Sequence, residues 1–96
     1  NPSFIELSQS DLSTNTKTTV FTIANGSGER FISAAQAGGG NSFVIGLSLV
    51  RIVGSGSSVI SVTAKNGAGN RGEFTIDVST SPACGNTQKL TVKVNN

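Results

Sequence analysis

Apolar and polar residues alternate one for one over much of the last forty or so residues of the chain. Glu73-Phe74-Thr75-Ile76-Asp77-Val78 and Lys89-Leu90-Thr91-Val92-Lys93-Val94 place Phe, Ile, Leu and Val on every second position, with charged residues or Thr between them. Ser58-Val59-Ile60-Ser61-Val62-Thr63-Ala64 precedes them as a third β-branched run. A strand sends successive side chains to opposite faces, so each run has one apolar and one wet face. The three together predict a one-sided antiparallel sheet whose apolar face needs a second layer to cover it. Val92, in the middle of that face, is expected to tolerate no charge, and Lys93→Asp on the wet face is expected to be nearly silent.

Upstream the signals are shorter. Phe4 to Ser8 reads as a first strand, and Asp11 to Asn15 as a polar turn anchored by Leu12. Thr18 to Ala24 is a second strand. Asn25-Gly26 supplies two residues that tolerate positive φ, which predicts a two-residue hairpin returning through Arg30-Phe31-Ile32-Ser33. Ala34 to Gly40 is a loop or one helical turn. Phe43 to Val53 is apolar on both faces, so it is either a central strand or a segment that bends at Gly46 and serves two strands. Gly54 to Ser57 is a turn. The result is about seven strands at spacings near ten residues, with no helix. The predicted architecture is all-β: an Ig-like β-sandwich of about seven antiparallel strands in two sheets, with a small barrel as the alternative. The Cys–Trp–Cys core of antibody domains is missing.

Composition narrows the surface and the partners. The 96 residues (1–96) fit one domain, and with no Trp, Tyr or Met and five Phe the core is aliphatic. Charged residues make up 12% of the chain, about half the usual share, so Thr, Ser and Asn dominate the surface. The net charge is +2, from Lys and Arg scattered along the chain, which does not give the clustered basic footprint of a nucleic-acid binder. The longest apolar stretch, residues 43–53, is about half a membrane span, so no membrane insertion is expected. A chain beginning at Asn1 is expected to be a domain excised from a larger protein.

Candidate chemistry is sparse. The chain has no His, which removes Ser–His and Cys–His nucleophilic catalysis and most transition-metal sites. Glu73 and Asp77 share a strand face about 13 Å apart, too far for a glycosidase pair. Asp11 with Asn15 is the nearest thing to a calcium cluster, and an Asx turn accounts for it. No glycine group is followed by the Lys-Ser/Thr of a phosphate loop. Asn25-Gly26-Ser27 fits an N-glycosylation acceptor, but the turn already explains it. The single Cys84 cannot form an intramolecular disulfide and reads as a small residue in a turn, with an intermolecular bridge as the alternative. Arg71 is the residue singled out. It either closes its turn by bonding nearby carbonyls, or lies along the adjacent strand, or offers a hydrogen-bonding fork to a ligand. Phe4 and Phe43 are conceivable sugar platforms, with core placement expected for both. No catalytic residue, metal ligand or cofactor is assigned, and ligand-binding residues stay unassigned.

One stretch carries a family resemblance. Gly54 to Val78 runs from a Gly-rich turn through an alternating strand, the turn Lys65 to Asn70, Arg71-Gly72 and a further strand. That succession resembles the second half of BACON domains, which are bacterial Ig-like β-sandwich modules. Ile5 to Ser8 and Thr18 to Asn25 resemble that family's first two strands. The family's Trp pair is absent here, with Phe31 and Phe43 available for those places, and the last strand departs from the usual Val-Thr-Gln-like ending. The resemblance implies a non-catalytic adhesion or carbohydrate-binding module at a cell surface or outside the cell. The implied partners are host glycans or glycoproteins and the neighbouring domains of the parent chain. Similar Ig-like modules decorate bacteriophage virions, where the job is structural spacing.

Overall fold

The computed structural model describes residues 4–82 and 88–96. Among the described residues eight strands are formed: β1 (Phe4–Ser8), β2 (Thr16–Ile23), β3 (Glu29–Gln36), β4 (Phe43–Leu47), β5 (Arg51–Val53), β6 (Gly56–Ala64), β7 (Gly72–Ser81) and β8 (Gln88–Asn95). They divide into a five-stranded sheet, β1-β8-β7-β3-β5, and a three-stranded sheet, β2-β6-β4. The expected two-sheet β-sandwich is therefore present, with one strand more than the sequence pattern separates. β1 runs parallel to β8, and every other pairing is antiparallel.

The alternating runs behave as their pattern requires. Ile76 and Val78 on β7 and Leu90, Val92 and Val94 on β8 are buried, as are Ser58, Ile60, Val62 and Ala64 on β6. Ile5, Leu7, Ile23, Ile32, Phe43 and Ile52 complete the core between the layers. At about 25 cal/mol per Å2 of apolar surface removed from water, this aliphatic interior supplies the main drive for stacking the sheets. The three C-terminal runs do not form one sheet, however. β6 lies in the opposite layer from β7 and β8. The segment from Lys65 to Arg71 carries the chain across, through a short 3-10 turn at Ala68–Asn70.

Two further crossings replace local features expected from the sequence. Asn25-Gly26 does not close a hairpin, because β2 pairs with β6 and β3 pairs with β5 and β7. Asn25 adopts φ 57°, but a Cβ on Gly26 would lie 2.5 Å from the Gly54 carbonyl oxygen and 2.6 Å from the Ile23 side chain. Gly26 is thus needed for close approach between two crossover segments. The Gly54 N–H donates to the Gly28 carbonyl at 2.8 Å, and the Gly26 N–H to Ser55 Oγ at 3.1 Å.

The Phe43–Val53 segment serves two strands, one in each sheet, as the second reading of its two-faced pattern allowed. Its break falls at residues 48–50, not at Gly46. Buried Ser58 holds the break: its hydroxyl accepts from the Leu49 N–H at 3.1 Å and donates to the Leu49 carbonyl at 2.7 Å. Leu12, expected to anchor the first turn, is 88% exposed. That turn is held by Asp11 Oδ1, which accepts from the Ser13 N–H and Oγ.

Candidate functional site

The outer face of the five-stranded sheet collects most of the chain's charge and two exposed aromatics, Phe31 on β3 and Phe4 on the edge strand β1. Register places Phe31 of β3 between Arg51 of β5 and Ser81 of β7, with Ser33 opposite Ser79 in the next outward-facing row. Ile32 takes the inward position, so Phe31 must point out, and it is 51% exposed. Arg51 Nε donates to Glu29 Oε2 beside it, which holds a guanidinium and a carboxylate next to the ring. Ser33 Oγ and Ser79 Oγ share a hydrogen bond of 3.0 Å on the same face. An accessible ring flanked by an ion pair and hydroxyls offers an apolar platform with polar groups at its edge.

Sequence reasoning missed this patch. Phe31 stands out in the sequence only as a residue available for one of the BACON-type Trp places, and Arg51 and Glu29 lie 22 residues apart. Arg30, next to Phe31, belongs to the inward row, which interrupts the polar-out pattern. Its guanidinium Nη1 escapes to the sheet end and donates to the Ser27 carbonyl at 2.6 Å. The signal that could have found the patch is the adjacency of Phe31 and Ile32 in a strand, since one of the two must face outward.

The other sequence candidates resolve as follows. Phe43 is core, 3% exposed, and meets Phe74 edge-on with ring centroids 5.9 Å apart. Phe4 departs from the expected core placement: it is half exposed, on the outer side of β1, because Ile5 and Leu7 fill the inward positions. Arg71 Nε donates to Gln9 Oε1 at 2.9 Å, and Gln9 Nε2 in turn donates to the carbonyls of Lys65 and Gly67. Arg71 therefore ties its turn to the end of β1 through Gln9. Asp77 pairs with Lys89 at 2.8 Å, and Glu73 lies opposite Lys93 in register, so the two acids sit on a solvated, charge-alternating face. Asp11 caps its turn, and the Ser13 hydroxyl and N–H lower its carboxyl pKa. No cluster of three potential metal-ligating side chains occurs among the described residues. Asn25 is exposed. Cys84 lies outside the described residues.

A cleft of about 440 Å3 opens on one side of the sandwich between the ends of β3 and β4, with Gln36, Asn41, Phe43, Val44 and Lys65 on its walls. Gln36 bridges it by accepting from the Ser42 N–H at 2.8 Å, and Lys65 Nζ donates to the Asn41 carbonyl at 3.3 Å. Gln36 and Lys65 are thus both engaged with the connection between β3 and β4.

The fold defines the chain as a two-layer β-sandwich. No family model matches it, and no curated protein matches its sequence. Among solved structures it is similar to a Bacteroides ovatus GH5 xyloglucanase in complex with a XXXG heptasaccharide, with TM-score 0.58 and 18% identity. That likeness covers 96% of this chain and 17% of the xyloglucanase chain, so it is a likeness to a small part of an enzyme, and at this identity it is one of fold.

Proposed function

We propose that this chain is a non-catalytic, extracellular binding module of a larger protein, and that it attaches its parent to glycans or glycoproteins. The observation that carries the reading is the exposed Phe31 ring beside the Arg51–Glu29 pair on the outer face of the five-stranded sheet. The C–H face of a sugar ring stacks on such a platform, while the guanidinium, carboxylate and Ser hydroxyls reach its hydroxyls. The fold likeness to a small part of a polysaccharide-degrading enzyme supports the same setting, and so does the BACON-like succession of turns and strands. One aromatic ring without a second beside it makes a weak site, so attachment relies on several copies or on neighbouring modules.

A glycan array covering mucin O-glycans and plant polysaccharides, with affinity electrophoresis through xyloglucan gels, tests this. The expected result is retardation by at least one glycan class, reduced at least about fivefold in Phe31→Ala. Silence across both panels sinks the glycan reading and leaves structural spacing, in a surface protein or a virion, as the function.

A further inference from the structure

We propose that the free edge of β4 is a self-recognition surface that joins two copies of this chain by antiparallel β4–β4 pairing. The edges of the two sheets are β1 and β5 in one and β2 and β4 in the other. β1 carries Glu6, β2 carries Lys17 and β5 carries Arg51. A charge on an edge strand is the usual guard against edge-to-edge association. β4, Phe43-Val44-Ile45-Gly46-Leu47, has no charge and no Pro.

The hydrogen-bonding groups of this edge are arranged for a second copy. The Ser48 N–H donates to the Val59 carbonyl, which fixes Val44, Gly46 and Ser48 as the residues whose backbones face β6. The backbones of Phe43, Ile45 and Leu47 therefore face the open edge. That set is symmetric about Ile45. A two-fold axis through Ile45 puts Ile45 opposite Ile45 and Phe43 opposite Leu47 of the second copy, so every edge-facing N–H meets a C=O. The side cleft reaches Phe43, Val44 and Ile45, so this part of the edge is open to solvent.

Side chains fit the same register. Val44, 55% exposed on the outer face, falls opposite Gly46 of the second copy, which presents no side chain of its own and has the Ser61 hydroxyl of β6 lying 2.6 Å from where its Cβ would be. The outer face that would become continuous has no charge on any of its strands: Thr16, Thr18, Val20 and Thr22 on β2, Ser57, Val59, Ser61 and Thr63 on β6, Val44 and Gly46 on β4. The nearest cation is Lys65, one residue past the Ala64 that pairs with Phe43. The two-fold holds the two Lys65 residues at opposite ends of the pairing, about 13 Å or more apart along the strands and beyond the screening length of about 10 Å. Five residues of edge cover less than a standard interface, so the dimer is a weak one that neighbouring copies or a tethered parent protein would strengthen.

The test is sedimentation equilibrium and amide-shift titration of the whole chain from about 10 μM to about 1 mM, the range proper to an interface of this size. The wild type is expected to gain mass with concentration and to shift the amides of residues 43–47. Across the two-fold, the two Val44 side chains are diagonal neighbours about 7–8 Å apart. Val44→Lys and Val44→Glu, each at an exposed position, are therefore expected to weaken association at least about tenfold when alone. Mixed in equal amounts they are expected to recover it, which a folding defect would not allow. A wild type that stays monomeric at the upper concentration overturns the proposal, as do single variants that associate like the wild type or shifts confined to β2.

Discussion

The two outer faces of the sandwich are built from the same alternating strands and carry opposite chemistry. On the five-stranded sheet, register sets Glu6, Lys93 and Glu73 side by side across β1, β8 and β7, and Lys89 beside Asp77 four residues along. On the three-stranded sheet the outward positions are Thr, Ser, Val and one Gly, tied by hydroxyl pairs such as Thr16–Thr63 and Thr22–Ser57, each at 3.0 Å. The difference shows that alternation fixes only which side of a strand is buried. What a face can do depends on what the neighbouring strands place beside each residue. One face is a field of opposed charges around an exposed ring. The other is a neutral surface ending in an unguarded edge.

Breaking the shared core should erase both faces at once. Val92 is fully buried at the centre of β8, with Phe74 on one side and Ile5 on the other. Val92→Asp is expected to cost more than about 4 kcal/mol and abolish the cooperative thermal transition, because an unpaired carboxylate has no partner in an aliphatic interior. A transition near wild type would show the inward assignment of β8 to be wrong. The next effect separates the faces. Lys93, expected from alternation to be replaceable, lies between two glutamates. Lys93→Asp would line up three carboxylates, and a loss of about 1 kcal/mol, relieved by salt, is expected in denaturant titrations. Thr18→Lys on the neutral face meets no charge of either sign and should stay within about 0.5 kcal/mol of wild type. Equal, salt-independent effects of the two changes would remove the electrostatic distinction between the faces.

The legible parts of the fold were those where one strand's own pattern decides. β6, β7 and β8 are such cases, and so is the two-faced run from Phe43 to Val53, whose apolar residues on both sides reflect service in two sheets. Pairing was less legible, because it depends on residues far apart in sequence. Asn25-Gly26 carries a strong local hairpin signal, yet Gly26 is set by the carbonyl of Gly54 lying against it. Leu12 looked like an anchor because it is the one apolar residue of its turn, whereas Asp11 does the holding. The candidate ring site was hidden for a similar reason. Phe31, Arg51 and Glu29 meet only once β3 pairs with β5, and no spacing along the chain announces that pairing.

Asp11 stands off both faces and gives the smallest and most specific test. Its carboxylate accepts the Ser13 hydroxyl at 2.7 Å and the Ser13 N–H at 3.0 Å. The hydroxyl first and the N–H second favour its charged form, so its pKa is lowered from the ordinary 3.8. A carboxyl whose pKa is depressed on folding binds a proton less readily in the folded chain than in the unfolded one. Its contribution is therefore complete above the unfolded pKa and drains away as pH falls through the folded value. The stability difference between wild type and Asp11→Ala should be constant at neutral pH and shrink between about pH 5 and about pH 2. If the Asp11→Ala difference were instead flat across that range, the turn would owe nothing to the charge of its cap, and the Ser13 contacts would amount to a neutral Asx turn.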